Sequence, residues 1–144
     1  MSLCLKDYKV IPVSNSIDIV PVENLADATL WSNLFQQSFG YLISDRVIDV
    51  IKDQVSFCNL KYEDQFIGTM VTYKLDNSIG IHSMGNTEPF RKRGFAEMAM
   101  QVVLSDAIEE GLDYAHLQAS PMGLSVYKKL GFEEIFKMYN YRIK

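Results

Sequence analysis

The sequence has few cysteines, and their positions exclude the usual cysteine-based architectures. Cys4 and Cys58 are the only two in 144 residues. They stand alone and far apart, so they match neither the paired spacing of a zinc site nor the dense pairing of a secreted disulfide scaffold. We therefore predict that both thiols are reduced, that Cys58 is buried, and that the protein holds no metal.

Long apolar runs and an excess of positive charge are also missing. Each apolar run is far shorter than the roughly 20 residues that a membrane-spanning helix needs, and no basic-then-apolar leader opens the sequence. The net charge of −4 disfavours a duplex DNA-binding surface, because such a surface depends on Lys and Arg to neutralise phosphates. We therefore expect a cytoplasmic protein with no membrane or nucleic-acid partner.

Internal repeats, low-complexity tracts and Pro/Ser-rich linkers are absent as well. With 48% hydrophobic residues, a chain of this length is predicted to form one compact domain. The only boundary question concerns its start. We assign residues 17–144 to the domain and residues 1–16 to either an N-terminal extension or an edge strand.

The hydrophobic pattern of the first half predicts one strand, two helices and three further strands. Alternation predicts a strand over residues 17–22, and helical spacing predicts a helix over residues 25–42. Ser44 is placed to cap a second helix. Strand formers then dominate residues 55–73, and a turn signal at residues 76–78 precedes another strand. These segments predict three antiparallel strands joined by hairpins.

The second half begins with the clearest helix, over residues 94–110, whose apolar residues repeat at intervals of three and four. A strand over residues 114–119 follows this helical crossover, which favours a parallel partner. Ser120 and the proline after it are typical of a helix start, and Gly131 is typical of a helix end. Residues 132–143 are predicted to close the sheet as a last strand.

A basic turn stands between a strand and the long helix, at residues 89–96. The first turn of a helix has unpaired N–H groups and the positive end of the dipole, so a phosphate can bind there. Gly94 leaves the approach to the helix start open, and the small side chain of Ala96 does not obstruct it. The cations beside it are Arg91, Lys92 and Arg93. A basic triplet alone is typical of a solvated loop, but at a helix start it predicts a ligand with several phosphates.

The same turn carries a family resemblance. Arg91-x-x-Gly94-x-Ala96, after Thr87-Glu88-Pro89, resembles the Arg/Gln-x-x-Gly-x-Gly/Ala acyl-CoA signature of the GNAT acetyltransferases. Residues 117–132 resemble the second signature of that family, a strand and a helix that end in Leu-Gly-Phe. The resemblance is residue-specific from about residue 79 to residue 132, and the N-terminal third matches in pattern alone.

The resemblance implies an α/β fold with a mixed, mostly antiparallel sheet of six to seven strands and about four flanking helices. The sheet would be splayed between its fourth and fifth strands, with the pantetheine arm of the co-substrate acetyl-CoA in the gap. The residues implied in binding it are Met84, Gly85, Asn86, Thr87, Arg91, Lys92, Arg93, Gly94, Phe95, Ala96 and Ser120.

The implied reaction is direct attack of a neutral primary amine on the thioester, which needs a proton acceptor and a proton donor. Tyr127 matches the tyrosine that serves many family members as general acid, and this motif position favours the acid role over the alternative of a packing tyrosine. His82 is the candidate base, and its alternatives are a structural histidine, proton relay through water, or Glu88. Strand alternation predicts that Gly80, His82 and Met84 share one face.

The acceptor is the least determined part of the prediction. By resemblance, the linker Phe39-Gly40-Tyr41 would line its site, although both aromatic residues could instead be core anchors. We expect a small-molecule amine and keep a protein N-terminus or lysine as an alternative. A different class of function also stays open, a non-catalytic acyl-CoA-binding or dimerising module of a larger protein. A homodimer is a weaker expectation.

Overall fold

The computed structural model describes residues 1–10 and 17–139. The strands are β1 (Ser2–Cys4), β2 (Asp18–Pro21), β3 (Ser56–Tyr62), β4 (Gln65–Leu75), β5 (Ser78–Asn86) and β6 (Tyr114–Leu117). The helices are α1 (Leu25–Phe39), α2 (Asp45–Ile51), α3 (Phe95–Glu109) and α4 (Leu124–Lys129). Within these residues, no helix is both long and apolar enough to cross a membrane.

The six strands form one mixed sheet in the order β1-β6-β5-β4-β3-β2. Only the β5–β6 pair is parallel, and the other neighbours are antiparallel. The parallel pair is the one joined through α3, as a helical crossover requires. The predicted fold class, a mostly antiparallel sheet with four helices, is confirmed.

The sheet opens between β5 and β6. These strands pair only from Ser78↔Tyr114 to Ile81↔Leu117, whereas β5 continues to Asn86 against β4. From residue 82 onward, the edge of β5 that faces β6 therefore has no strand partner among residues 1–10 and 17–139. This is the predicted splay, since β5 and β6 are the fourth and fifth strands when counting starts at β2.

The helices cover the two faces of the sheet separately. The larger core lies under α3 and α4, where Ala99 and Met100 pack in one cluster with Ile81 of β5. The smaller core lies under α1 and α2, around Trp31 and Val71. We call these the α3 face and the α1 face.

The first two helices follow their local signals closely. The side chain of Asn24 accepts a hydrogen bond from the N–H of Asp27 (2.9 Å), and Gly40 ends α1 with φ of 83°. The helix therefore stops three residues before the predicted end at residue 42, because Gly40 takes the left-handed conformation of a helix terminus. Ser44 caps α2 as predicted, since its Oγ accepts from the N–H of Arg46.

The predicted start of the last helix is wrong by several residues. Helix α4 begins at Leu124 with Gly123 as its N-cap residue, not at Pro121 with Ser120 as the N-cap. Both the carbonyl (3.1 Å) and the Oγ (3.2 Å) of Ser120 accept the N–H of Gly123. Ser120 thus accepts a backbone N–H as a capping serine does, but it closes the turn at residues 120–123 that precedes the helix.

The predicted last strand over residues 132–143 is also wrong for its described part. Only Glu133 pairs, in an isolated antiparallel bridge with Ser2, and residues 134–139 form no strand. The physical reason is that β1 already occupies the position beside β6. Residues 140–143 lie outside the described part, and the division of the chain at residue 16 stays a prediction.

Candidate functional site

The N-terminus of α3 is open to solvent. Gly94 is its N-cap residue, with φ of 82°, and provides no side-chain cap. The first amides of the helix have no intrahelical acceptor, and a Cβ placed on Gly94 would have no atom within 4 Å. Glycine is thus favoured here by the backbone conformation, and it also leaves a clear approach to the helix end.

Two cations stand beside this helix end without a carboxylate partner in the described parts of the chain. Lys92 and Arg93 are exposed, and neither is in an ion pair there. The guanidinium carbon of Arg93 lies 5.6 Å from the ring centroid of Phe90 and 5.1 Å from that of Phe95. These rings hold the charge of Arg93 close to the first turn of α3.

Arg91 differs from its two neighbours because its guanidinium already has partners. Its Nε donates to the carbonyl of Asn86 (3.1 Å), and its Nη2 donates to the carbonyl of Ser38 at the end of α1 (2.8 Å). The side chain is half-buried. It therefore links the end of β5 to the end of α1.

A β-bulge interrupts β5 in front of the opening. Ser83 has φ of 52°, and the β4–β5 register shifts between Thr69 and Val71. The bulge moves Met84 to the α3 face, where it packs on the core. The prediction that Met84 shares a face with Gly80 and His82 is therefore wrong.

The last residues of β5 are only partly available to a ligand. The N–H of Thr87 donates to the carbonyl of Ile67 (2.8 Å), and its side chain is buried. The side-chain oxygen Oδ1 of Asn86 is also buried, but it has no hydrogen-bond partner in the described chain. Because the carbonyl of Asn86 already accepts Nε of Arg91, the edge of β5 that lacks a strand partner in the described chain and stays available extends from residue 82 to residue 85.

His82 is exposed and lies on the α1 face. It pairs with Val71 of the α1-side core, and cross-strand partners share a face. Its Nε2 would lie 3.1 Å from a Cβ on Gly80. Beyond the bulge, the ring of Phe39 covers Gly85 so closely that a Cβ there would be 2.7 Å from it. The end of α1 and His82 are therefore both on the α1 side of β5.

Tyr127 lies on the other side of the sheet. Its ring is buried in the α3-side core and meets Phe132 edge-on, with centroids 6.1 Å apart. A Cβ on Gly123 would lie 3.0 Å from Tyr127 Cε2 and 3.5 Å from Ser120 Oγ, so this glycine brings the tyrosine and the serine together. Burial raises the pKa of Tyr127 above its ordinary value. Its hydroxyl has no hydrogen-bond partner among the described residues.

The two predicted catalytic side chains thus approach the sheet from opposite faces, His82 from the α1 face and Tyr127 from the α3 face. Beyond Ile81 and Leu117, β5 and β6 no longer pair in the described chain. Sequence reasoning missed three features of this site: the bulge at Ser83, the partners of Arg91, and the contact of Tyr127 with Gly123. The bulge is a backbone irregularity, and Arg91 bonds to Ser38, which is distant in the chain. The Tyr127–Gly123 contact is local, but it depends on the turn before α4, where the sequence predicts helix.

Residues 25–132 match the sequence model of the acetyltransferase (GNAT) family. This match covers α1 to the end of α4 and includes every predicted site residue. The chain belongs to the GNAT acetyltransferase family. Among curated proteins, none matches the chain.

Solved structures agree with this GNAT assignment. The ribosomal-protein-S18-alanine N-acetyltransferase of Escherichia coli has a TM-score of 0.71 at 14% identity, over 83% of this chain and 79% of that one. The aminoglycoside N-acetyltransferase AAC(6')-Iy in complex with CoA has a TM-score of 0.65 at 18% identity, over 93% and 99%. At these identities, the likeness establishes the GNAT fold and not the substrate.

A third similar structure is longer than this GNAT domain. The GCN5-related N-acetyltransferase of Kribbella flavida has a TM-score of 0.65 at 15% identity over 92% of this chain. This chain spans about half of that protein, 52% of its length.

Proposed function

We propose that this GNAT domain transfers an acetyl group from acetyl-CoA to a primary amine by direct attack of the amine on the thioester. The observation that carries the proposal is the juxtaposition of an open, cation-flanked helix N-terminus with a sheet that opens beside it. Acetyl-CoA supplies an activated acyl group and a thiolate leaving group. The residues of this chain must then bind it, orient it and move two protons.

The donor site fits a long ligand with a phosphate group at one end. The free amides of Phe95 and Ala96, with the charges of Lys92 and Arg93, can hold a pyrophosphate. The edge of β5 from residue 82 to residue 85, which pairs with no strand of the described chain on the β6 side, can form hydrogen bonds along an amide-containing arm. Ser120, beside the far side of the opening, can add a hydroxyl contact.

Proton transfer is assigned to Tyr127 and His82. Tyr127 is the candidate donor to the departing thiolate, because a phenol carries its proton at neutral pH. Burial, which raises the pKa of Tyr127, favours this neutral form. His82 is the candidate acceptor for the proton of the attacking amine, directly or through water, and it lies on the α1 face with the linker after α1. Attack from the α1 face and protonation from the α3 face would meet where β5 and β6 no longer pair.

The acceptor is proposed to be a small-molecule amine bound on the α1 face near Phe39 and Tyr41. The ring of Phe39 stacks on Phe35 and the ring of Tyr41 meets Phe35 edge-on, with centroid distances of 4.6 and 4.9 Å. Both rings remain exposed. A protein N-terminus is the second candidate, because this exposed apolar surface continues to Leu42. Similar structures include proteins named for each acceptor type.

Calorimetric titration of acetyl-CoA, CoA and dephospho-CoA tests the donor site. The decisive variant is Gly94→Trp, and Gly111→Trp is its matched control. Both glycines have nearly the same positive φ (82° and 81°), and neither would have an atom within 4 Å of an added Cβ. The two variants therefore carry similar backbone strain at opposite ends of α3.

We expect micromolar binding of CoA, retained in Gly111→Trp and weakened at least about tenfold in Gly94→Trp, because only the latter blocks the helix N-terminus. Equal loss in both variants, or no binding by folded wild-type protein, would contradict the donor site. Release of free thiol with an amine panel then separates an enzyme from the alternative, a binding module that holds acyl-CoA without turnover.

A further inference from the structure

Helix α1 ends without a cation of its own. Its last turn contains no basic residue, although the last carbonyls of a helix carry partial negative charge and lack intrahelical donors. The N–H of Gly40 satisfies the carbonyl of Gln36 (2.8 Å). The carbonyl of Ser38 is satisfied from outside the helix, by Nη2 of Arg91 at 2.8 Å.

The same guanidinium holds the end of β5. Nε of Arg91 donates to the carbonyl of Asn86 at 3.1 Å, and the two carbonyls lie 48 residues apart in the chain. A guanidinium can serve both because its donors are fixed in one plane. Beside this bridge, the ring of Phe39 lies on Gly85, whose missing Cβ permits the contact.

We propose that Arg91 is a positioning residue, which holds the C-terminal end of α1 and the acceptor-side linker at residues 39–42 against β5, and is not a phosphate ligand. This inference rests on the proposed function, because it assigns that linker to the acceptor side. It leaves the phosphate charge to Lys92 and Arg93, whose cationic groups make no hydrogen bond to another element of the described chain.

The bridge has a consequence for substrate order. The turn that carries Arg91 leads directly into the helix that would bind pyrophosphate, so a ligand that orders this turn also steadies the end of α1. Donor binding should therefore increase the order of the acceptor-side linker. Without the bridge, the two events should become independent.

The test combines CoA titration with hydrogen–deuterium exchange in the wild type, Arg91→Met and the control Arg93→Met. Both substitutions remove one guanidinium from the same turn, but only Arg91 contacts α1. We expect Arg91→Met to bind CoA within about threefold of the wild type, with amide exchange at residues 36–42 faster by at least about tenfold. In Arg93→Met, exchange at these residues should not change.

Unchanged exchange at residues 36–42 in Arg91→Met would overturn the proposal, and so would a loss of CoA affinity of about tenfold or more. Arg91→Lys is the second variant in case Arg91→Met does not fold. It keeps the charge but cannot donate to both carbonyls, so it should show the same faster exchange. If wild-type protein binds no CoA, the proposed function fails, while the exchange experiment on free protein still tests the bridge.

Discussion

The hydroxyl group of Tyr127 should be removable with little effect on the fold. The ring keeps its place in the core in Tyr127→Phe, including the edge contact with Phe132 at 6.1 Å. No partner of the hydroxyl is left unsatisfied among the described residues. We therefore expect the free energy of unfolding to change by less than about 0.5 kcal/mol. Tyr127→Ala would instead remove a buried aromatic side chain, at a cost of about 3–5 kcal/mol.

Turnover should respond very differently from stability. If Tyr127 protonates the departing thiolate, Tyr127→Phe should lower kcat by a factor of about 10²–10⁴, the usual contribution of a general acid. The Kd for CoA should stay unchanged, since the pyrophosphate would bind at α3. Thiol release with an accepted amine, calorimetry with CoA and urea denaturation measure the three quantities. Tyr73→Phe, which removes a hydroxyl from a half-exposed side chain on β4, is the control.

The pH dependence gives an independent check. Burial raises the pKa of Tyr127 above its ordinary value of 10.0, so its donor form persists beyond that pH. The contribution of the protonated Tyr127 to the free energy of unfolding is therefore complete below the pKa of the unfolded state, and it is lost as the pH rises through the pKa of the folded state. Tyr127→Phe should flatten this alkaline loss of stability. Wild-type turnover in Tyr127→Phe would remove Tyr127 from the mechanism, and a large loss of stability would show that its hydroxyl has a structural partner.

Two further predictions concern buried contacts. Gly123→Ala should destabilise the fold by about 1 kcal/mol, because the new Cβ would lie 3.0 Å from the Tyr127 ring. The right-handed backbone of Gly123 (φ of −90°) accepts alanine, so the expected effect comes from this contact and not from backbone strain. Urea denaturation measures the change, and unchanged stability would show that the ring moves freely. At pH 8, a thiol reagent should modify half-buried Cys4 first and Cys58 only on unfolding, since burial raises the pKa of Cys58. Cys58→Ser should abolish the slow phase, and fast modification of both thiols would contradict the burial.

Much of the fold could be predicted because its signals are local. Helix α3 follows from apolar residues spaced at three and four, and the cap of α2 from the hydroxyl of Ser44. The basic turn at Gly94 predicts an anion site because the electrostatics of a helix start depend on neighbouring residues alone. The family resemblance then implied the mixed, mostly antiparallel sheet and its opening between the fourth and fifth strands.

The sequence by itself thus determined most of the helices and strands, the basic turn at the start of α3 and the family, because each depends on residues that are close together in the chain. Only the tertiary structure decided which strand lies beside β6, where β1 excludes residues 134–139. It also decided the face of Met84, through the bulge at Ser83, and the role of Arg91, through two carbonyls from separate elements. These outcomes depend on competition between distant segments for the same space and the same hydrogen-bond partners, which no local pattern records.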